Sequence, residues 1–385
     1  MSSGALILYL MNIQMCLFCV PAIVAQVPDK AKDMKPQELS NVLLAAAKLK
    51  DDEPDVVNVV PAIVAQVPDK AKDMKPQELS NVLWAAAKLK DDATDVLNVV
   101  PAIVAQVPDK AKDMIPQHLS NVPWAAASLK DDEPDVVNVV PSIVAQVPDK
   151  AKDMKPQGLS NVLLAAAKLK DDAPDMLNVV SVIVAQVPDK AKDMTPQALS
   201  NVLWAAAKLK DDEPDVVNVV PAIVAQVPDK AKDMKPQDLS NSLLALVLLQ
   251  DSVPGVSSFL RGGSGSNTGF VGEAASRVAK LLPKLSDLDL FLTPPAVVWA
   301  CAKMELPHDE LLSAVAQRFA SRKTISSLRD WGLCALYGSY QLLGSTDRFT
   351  NFAEMLKKEL TRTGLSDSDV GWSLEGPLDW AYPEK

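Results

Sequence analysis

No arginine precedes Arg261 in this 385-residue chain, so every positive side chain before that point is a lysine. The absence removes the bidentate guanidinium fork that suits phosphate best, and any anion bound there must be held by ammonium point charges. Histidine is scarce as well: there are two, His118 and His308, and neither stands in a motif that supplies a nucleophile. The chain therefore reads as non-catalytic. Of the four cysteines, Cys16 and Cys19 form a C-x-x-C with no second pair to complete a zinc site, so no metal and no other cofactor is expected. Aromatic residues make up only 5%, which leaves valine, leucine and alanine to build the core. No segment of the repeats alternates apolar and polar residues over strand length, which argues against a sheet.

Long apolar runs are rare. The stretch from Ala5 to Val20 is broken by Asn12 and Gln14, too short for a clear membrane span, and has no positive flank, the first lysine being Lys30. Three readings stay open for it: an atypical signal, a membrane-associating segment, or an apolar cap on the adjoining repeats, the last being preferred. Acid outweighs base, with a formal net charge of −10 and a pI near 4.9.

What is present is repetition. The segment PQELSNVLWAAAKLKDD, from Pro76 to Asp92, recurs in six copies that begin forty residues apart at Pro36, Pro76, Pro116, Pro156, Pro196 and Pro236. A fixed period of this length marks stacked helical hairpins. In the unit from Asp52 to Asp91, apolar residues fall at Val56, Val60, Ile63, Val64, Val67, Ala71 and Met74, spaced for one helix face. Asp52 is expected to cap this half. Pro61 and Pro68 interrupt it, which predicts a kinked helix or short helices end to end. A second helix starts at Pro76 and carries Leu79, Val82, Leu83, Ala86 and Leu89 on its buried face. Trp84, replaced by Leu44, Leu164 and Leu244 in other copies, reads as a packing position.

The motif PQELSNVLWAAAKL resembles the octotricopeptide repeat, whose signature runs Pro-Gln-x-Leu-(Ala/Ser)-Asn-x-x-Trp-Ala-x-Ala-x-Leu. Pro76, Gln77, Leu79, Asn81, Trp84, Ala85, Ala87 and Leu89 match it, as do the corresponding residues from Pro196 to Leu209. The resemblance implies binding of organellar RNA, in chloroplast or mitochondrion, with a role in its processing, stability or translation. No transit peptide is evident, so cytoplasmic or membrane-associated placement also stays open.

The expected fold is all-α: an α-solenoid of helix–turn–helix repeats over 21–254, after the apolar leader 1–20. A Gly/Ser-rich linker is expected at 255–273, a divergent helical-repeat region at 274–362 and an irregular tail at 363–385. The linker lacks the Gly-Lys-Ser/Thr ending of a phosphate-gripping loop.

Near-identical copies inform where they differ. One variable position reads Glu38, Glu78, His118, Gly158, Ala198 and Asp238; another, just before the helix, reads Lys35, Lys75, Ile115, Lys155, Thr195 and Lys235. The first is expected off the core and the second at the helix start, where backbone donors are free. Paired variation of this kind is how modular RNA readers vary base choice, and drift at unconstrained sites is the other reading. Arg318, Arg322, Lys323 and Arg329 form the densest basic cluster, either a contact for RNA or a solubilising helix surface. The favoured partner is single-stranded RNA. A protein-binding scaffold is the alternative, and a membrane-tethered adaptor the third reading.

Overall fold

The computed structural model describes residues 20–262, 269–366 and 368–370, so the leader with its C-x-x-C and the tail beyond 370 lie outside the described residues. All the regular structure described is helical. The chain forms two compact units, residues 1–186 and 187–385, each a stack of helical hairpins in an α-solenoid.

In the first unit the second helices are α1 (Pro36–Leu49), α2 (Pro76–Leu89), α3 (Pro116–Leu129) and α4 (Pro156–Leu169). Each has proline in its first turn, where no donor is lost, after an extended residue. They pack side by side, α1 on α2, α2 on α3, α3 on α4. Leu79, Val82, Leu83, Ala85, Ala86 and Leu89 are all fully buried. The alanines keep the helix surfaces small enough for close approach.

The first half of each repeat is a chain of short pieces. In the second repeat these are a 3-10 turn at Pro54–Val59, helices at Val60–Val64 and Val67–Lys70, and a 3-10 turn at Ala71–Asp73. Pro61 and Pro68 do not sit mid-helix: each occupies the first turn of a new piece, where its missing N–H costs nothing. Asp52 does not cap this half. The chain extends at Glu53 and no side chain caps the turn, because a 3-10 start uses Glu53's own carbonyl as the acceptor for Val56. The apolar face from Val56 to Met74 is buried throughout.

Two lysine systems tie repeat to repeat. Lys50, Lys90 and Lys130 pair with Asp92, Asp132 and Asp172 of the following repeat, the last two at 2.6 and 2.7 Å. These aspartates are exposed, so each pair contributes about 1 kcal/mol at most. Lys70 donates to the carbonyls of Lys32 and Met34 of the preceding repeat, and Lys150 donates to those of Lys112 and Met114.

In the second unit α5 (Pro196–Leu209) and α6 (Pro236–Leu249) continue the pattern. They are followed by α7 (Phe270–Leu281), α8 (Asp287–Lys303), α9 (Asp309–Arg318), α10 (Asp330–Leu342) and α11 (Thr350–Thr363). The second-helix layer runs α5, α6, α8, α10, α11. The repeat's structural devices persist here in worn form. Lys230 donates to the Met194 carbonyl, and Arg277 takes over that role toward Ala231 and Met234. Lys303 lies 5.9 Å over the Trp299 ring, as Lys88 does over Trp84. The expected linker is shorter than its composition implied. Val256–Arg261 is helical and α7 opens at Phe270, because Val256, Leu260 and Phe270 are buried and draw both ends into the fold.

Candidate functional site

The second helices carry a stripe on the side away from Leu79, Leu83 and their equivalents, at spacings of three and then four residues, half-buried or exposed in α1 to α3 and buried at Asn161 and Leu164 of α4. It reads Asn41, Leu44, Lys48 in α1; Asn81, Trp84, Lys88 in α2; Asn121, Trp124, Ser128 in α3; and Asn161, Leu164, Lys168 in α4. Trp84 and Trp124 are half-buried neighbours, their ring centroids 6.3 Å apart. The Lys88 ammonium lies over both, 4.8 Å from the Trp124 ring and 5.9 Å from Trp84. Such a contact favours the charged lysine and holds it on the aromatic surface. Burial first, then the nearby ammonium groups of Lys130 and Lys90, lowers the Lys168 pKa to about 8.

This stripe borders a groove of about 600 Å³ in the first unit. Leu44, Lys48, Asn81 and Trp84 form one side of the lining. Ile115, Gln117 and Asn121 come from the third repeat, and Asp153, Lys155, Gln157, Gly158 and Asn161 from the fourth. Amide donors and acceptors, two lysines, one carboxylate and an indole thus face one space. That combination can stack a planar group, bond its edge and neutralise nearby negative charge.

The helix-start positions Lys35, Lys75, Ile115, Lys155, Thr195 and Lys235 are exposed, as expected. Their partners are not off the core. Glu78, His118, Gly158, Ala198 and Asp238 are buried, and Glu38 is half-buried. The reason is helical spacing: residue 78 stands four before Val82 and shares its flank, against the neighbouring second helix. The side chains there have structural work. Glu38 and Glu78 accept from the Lys35 and Lys75 backbone N–H at 2.8 and 2.9 Å, which is the glutamate half of a capping box. Thr195 instead accepts from the Ala198 N–H at 3.2 Å. Burial raises the Asp238 pKa, partly offset by a backbone hydrogen bond at Lys235. Only Ile115, Lys155 and Gly158 of the twelve variable residues line the groove.

The amide row and Trp84 were missed as recognition candidates because they do not vary, or vary only as packing residues do. Their signal was the polar asparagine three residues before each tryptophan or leucine, on the side away from Leu79 and Leu83.

His118 has no carboxylate to offer the helix start, and its buried Nδ1 lacks a hydrogen-bond partner. Burial, and then the Lys150 ammonium, lowers its pKa from the ordinary 6.5. The folded state therefore binds fewer protons than the unfolded one just below pH 6.5, and stability present above that pH is lost as the pH falls. His118→Glu restores the carboxylate found at Glu38 and Glu78 and removes this step. Its thermal midpoint is expected to hold between pH 7 and pH 5 where the parent's declines; parallel curves for the two proteins would contradict the assignment.

In the second unit Arg318, Lys323 and Arg329 are exposed on α9, on the turn Arg322–Ile325 and at the start of α10, while the Arg322 side chain lies outside the described residues. None lines the open groove formed nearby by Ala316, Phe349, Met355 and Lys358. His308 and Ser276 lie 3.0 Å apart, the one serine–histidine pair bonded among the described residues. His308 Nδ1 accepts the Leu311 backbone N–H at 3.2 Å, so in the neutral ring Nε2 carries the proton and donates to the serine. A base of that tautomer cannot take the serine's proton. Burial pushes the thiol of Cys301 up to about 12, and burial followed by Asp369 and Asp330 pushes that of Cys334 up to about 11. Among the described residues no cluster of metal-ligating side chains occurs, and no helix is long and apolar enough to cross a membrane.

The fold and the groove define a helical-repeat protein whose architecture fits a binding or scaffold role. No family model matches the chain, and no curated protein matches it.

Proposed function

We propose that this chain binds single-stranded RNA through the stripe and groove of its second helices, without catalysis. The carrying observation is that Trp84, the asparagines Asn81, Asn121 and Asn161, and the lysines Lys48 and Lys155 line one groove. Single strands are held by such sets: aromatic faces for bases, amides for base edges and cations for the backbone. Of the lysines on the stripe and the groove, Lys48, Lys88 and Lys155 are taken as the candidates for phosphate. The resemblance to octotricopeptide repeats extends the reading to organellar RNA, in its processing, stability or translation.

Salt dependence tests it. Three ammonium–phosphate contacts give a slope of about −2 in log K against log salt for a single strand. Affinity for a labelled single-stranded RNA pool should then fall roughly 20-fold between 50 and 200 mM salt. No binding at low salt, by a chain shown to be helical, would remove the RNA reading. Capture of a protein partner under the same conditions would then favour the scaffold.

A further inference from the structure

We infer that the groove along the second helices of the first four repeats holds a single nucleobase at its third- and fourth-repeat end, where the two substitutions Ile115 and Gly158 stand. The inference rests on the RNA reading and narrows it, because it places base discrimination at one point of the array.

The copies are nearly identical, so a departure from the common residue is informative where it changes the surface. Lysine stands before the helix at Lys35, Lys75, Lys155 and Lys235, yet the third repeat has Ile115. Ile115 is 52% exposed, one of two large apolar side chains so exposed among the described residues. The next position carries a carboxylate at Glu38, Glu78 and Asp238, yet the fourth repeat has Gly158. These departures lie forty-three residues apart in sequence and line the same groove. One removes an ammonium group and the other removes a carboxylate. What remains at these two positions is an apolar side chain and a bare backbone, with Lys48, Asp153 and Lys155 as the charged groups of the lining.

The bare backbone is that of Gly158. A Cβ on Gly158 would stand 3.2 Å from Ser120 Oγ and 3.4 Å from Ser120 Cβ, so even a methyl group presses on the wall. A glutamate there would place a carboxylate at this point of the lining, beside Ser120 and the helix start, as Glu78 stands beside its own. Without it, α4 starts with no side-chain cap, whereas α1 and α2 are capped by Glu38 and Glu78.

The chemistry left in the groove suits a neutral planar heterocycle. Asn121 and Asn161 carry paired donors and acceptors that match a base edge, and Asn161 is 8% exposed, held in place by its surroundings. Trp84 offers an aromatic wall and Ile115 an apolar one. Lys48 and Lys155 stand on the lining for the phosphates on either side of the base. The space, about 600 Å³, lies within the range of pockets that enclose a small molecule.

The test uses residues that sibling repeats already tolerate. Gly158→Glu installs the residue of Glu38 and Glu78, and Gly158→Ala installs that of Ala198. The probes are a labelled single-stranded RNA, the same strand with abasic sugars, and free AMP and UMP. The parent should bind the RNA at least tenfold more tightly than the abasic strand. Gly158→Glu should bind both equally, with its helical signal and thermal midpoint retained, and Gly158→Ala should lose less than threefold. If the parent binds RNA and Gly158→Glu binds it as tightly, with the same preference over the abasic strand, the pocket is overturned while the RNA reading stands. If the parent binds no strand and no nucleotide, both fall. Binding of AMP or UMP alone, abolished by Gly158→Glu, would support the pocket and count against a strand as its natural ligand.

Discussion

Replacing Pro123 by leucine is expected to stabilise the first unit by about 3 kcal/mol. Pro123 lies inside α3, which runs unbroken from Pro116 to Leu129. It has no N–H to donate to the Leu119 carbonyl, and its ring crowds that turn. The equivalent residues Leu83 and Leu163 are fully buried, so the packing around this position already accommodates leucine in neighbouring repeats. The gain combines the restored hydrogen bond, the relieved clash and added apolar contact. Urea unfolding of parent and variant measures it. A variant no more stable than the parent would mean that the third repeat has reshaped its surroundings around the proline.

Arg277→Met is expected to destabilise the second unit by about 3 kcal/mol. Its guanidinium reaches the carbonyls of Ala231 and Met234 at the end of the preceding repeat's first half. Each hydrogen bond from a charged donor is worth about 1.5 kcal/mol, and methionine keeps the apolar stem without the donors. Arg277→Lys is the informative companion. Lysine does this job at Lys70 and Lys150, so the conservative change should restore most of the loss. Equal destabilisation by methionine and lysine would show that the divergent region needs the planar fork and has left the array's rule. Recovery by lysine would show that α7 begins a seventh hairpin stacked as the others are.

The fold was legible because its information is local and repeated. Apolar residues three and four apart can only line one side of a helix, and a forty-residue period repeats the same surface until neighbours bury it. The first-half prolines were legible only in part. Pattern showed that the apolar face continues across Pro61 and Pro68, but whether the backbone kinks or restarts depends on where each carbonyl finds a donor, and the structure restarts it. The divergent hairpins were readable around Trp299, whereas the reach of the linker was not. Glycine and serine describe a chain's freedom, and the burial of Leu260 and Phe270 overrides it from outside.

The site divides differently. Sequence alone determined that the copies vary at residues 38 and 35 and their equivalents, that the repeats carry lysine and no arginine, and that an asparagine precedes each tryptophan or leucine by three. Tertiary structure decided which of these face the groove. Residue 78 and its equivalents lie under the neighbouring second helix, so most of the variation there tunes helix starts. Ile115 and Gly158 line one groove only because adjacent second helices pack side by side, which brings residues from consecutive repeats together. A sequence specifies each helix's faces through its own periodicity. Which face stays open is set by the stacking of one repeat on the next, a relation between residues far apart in the chain.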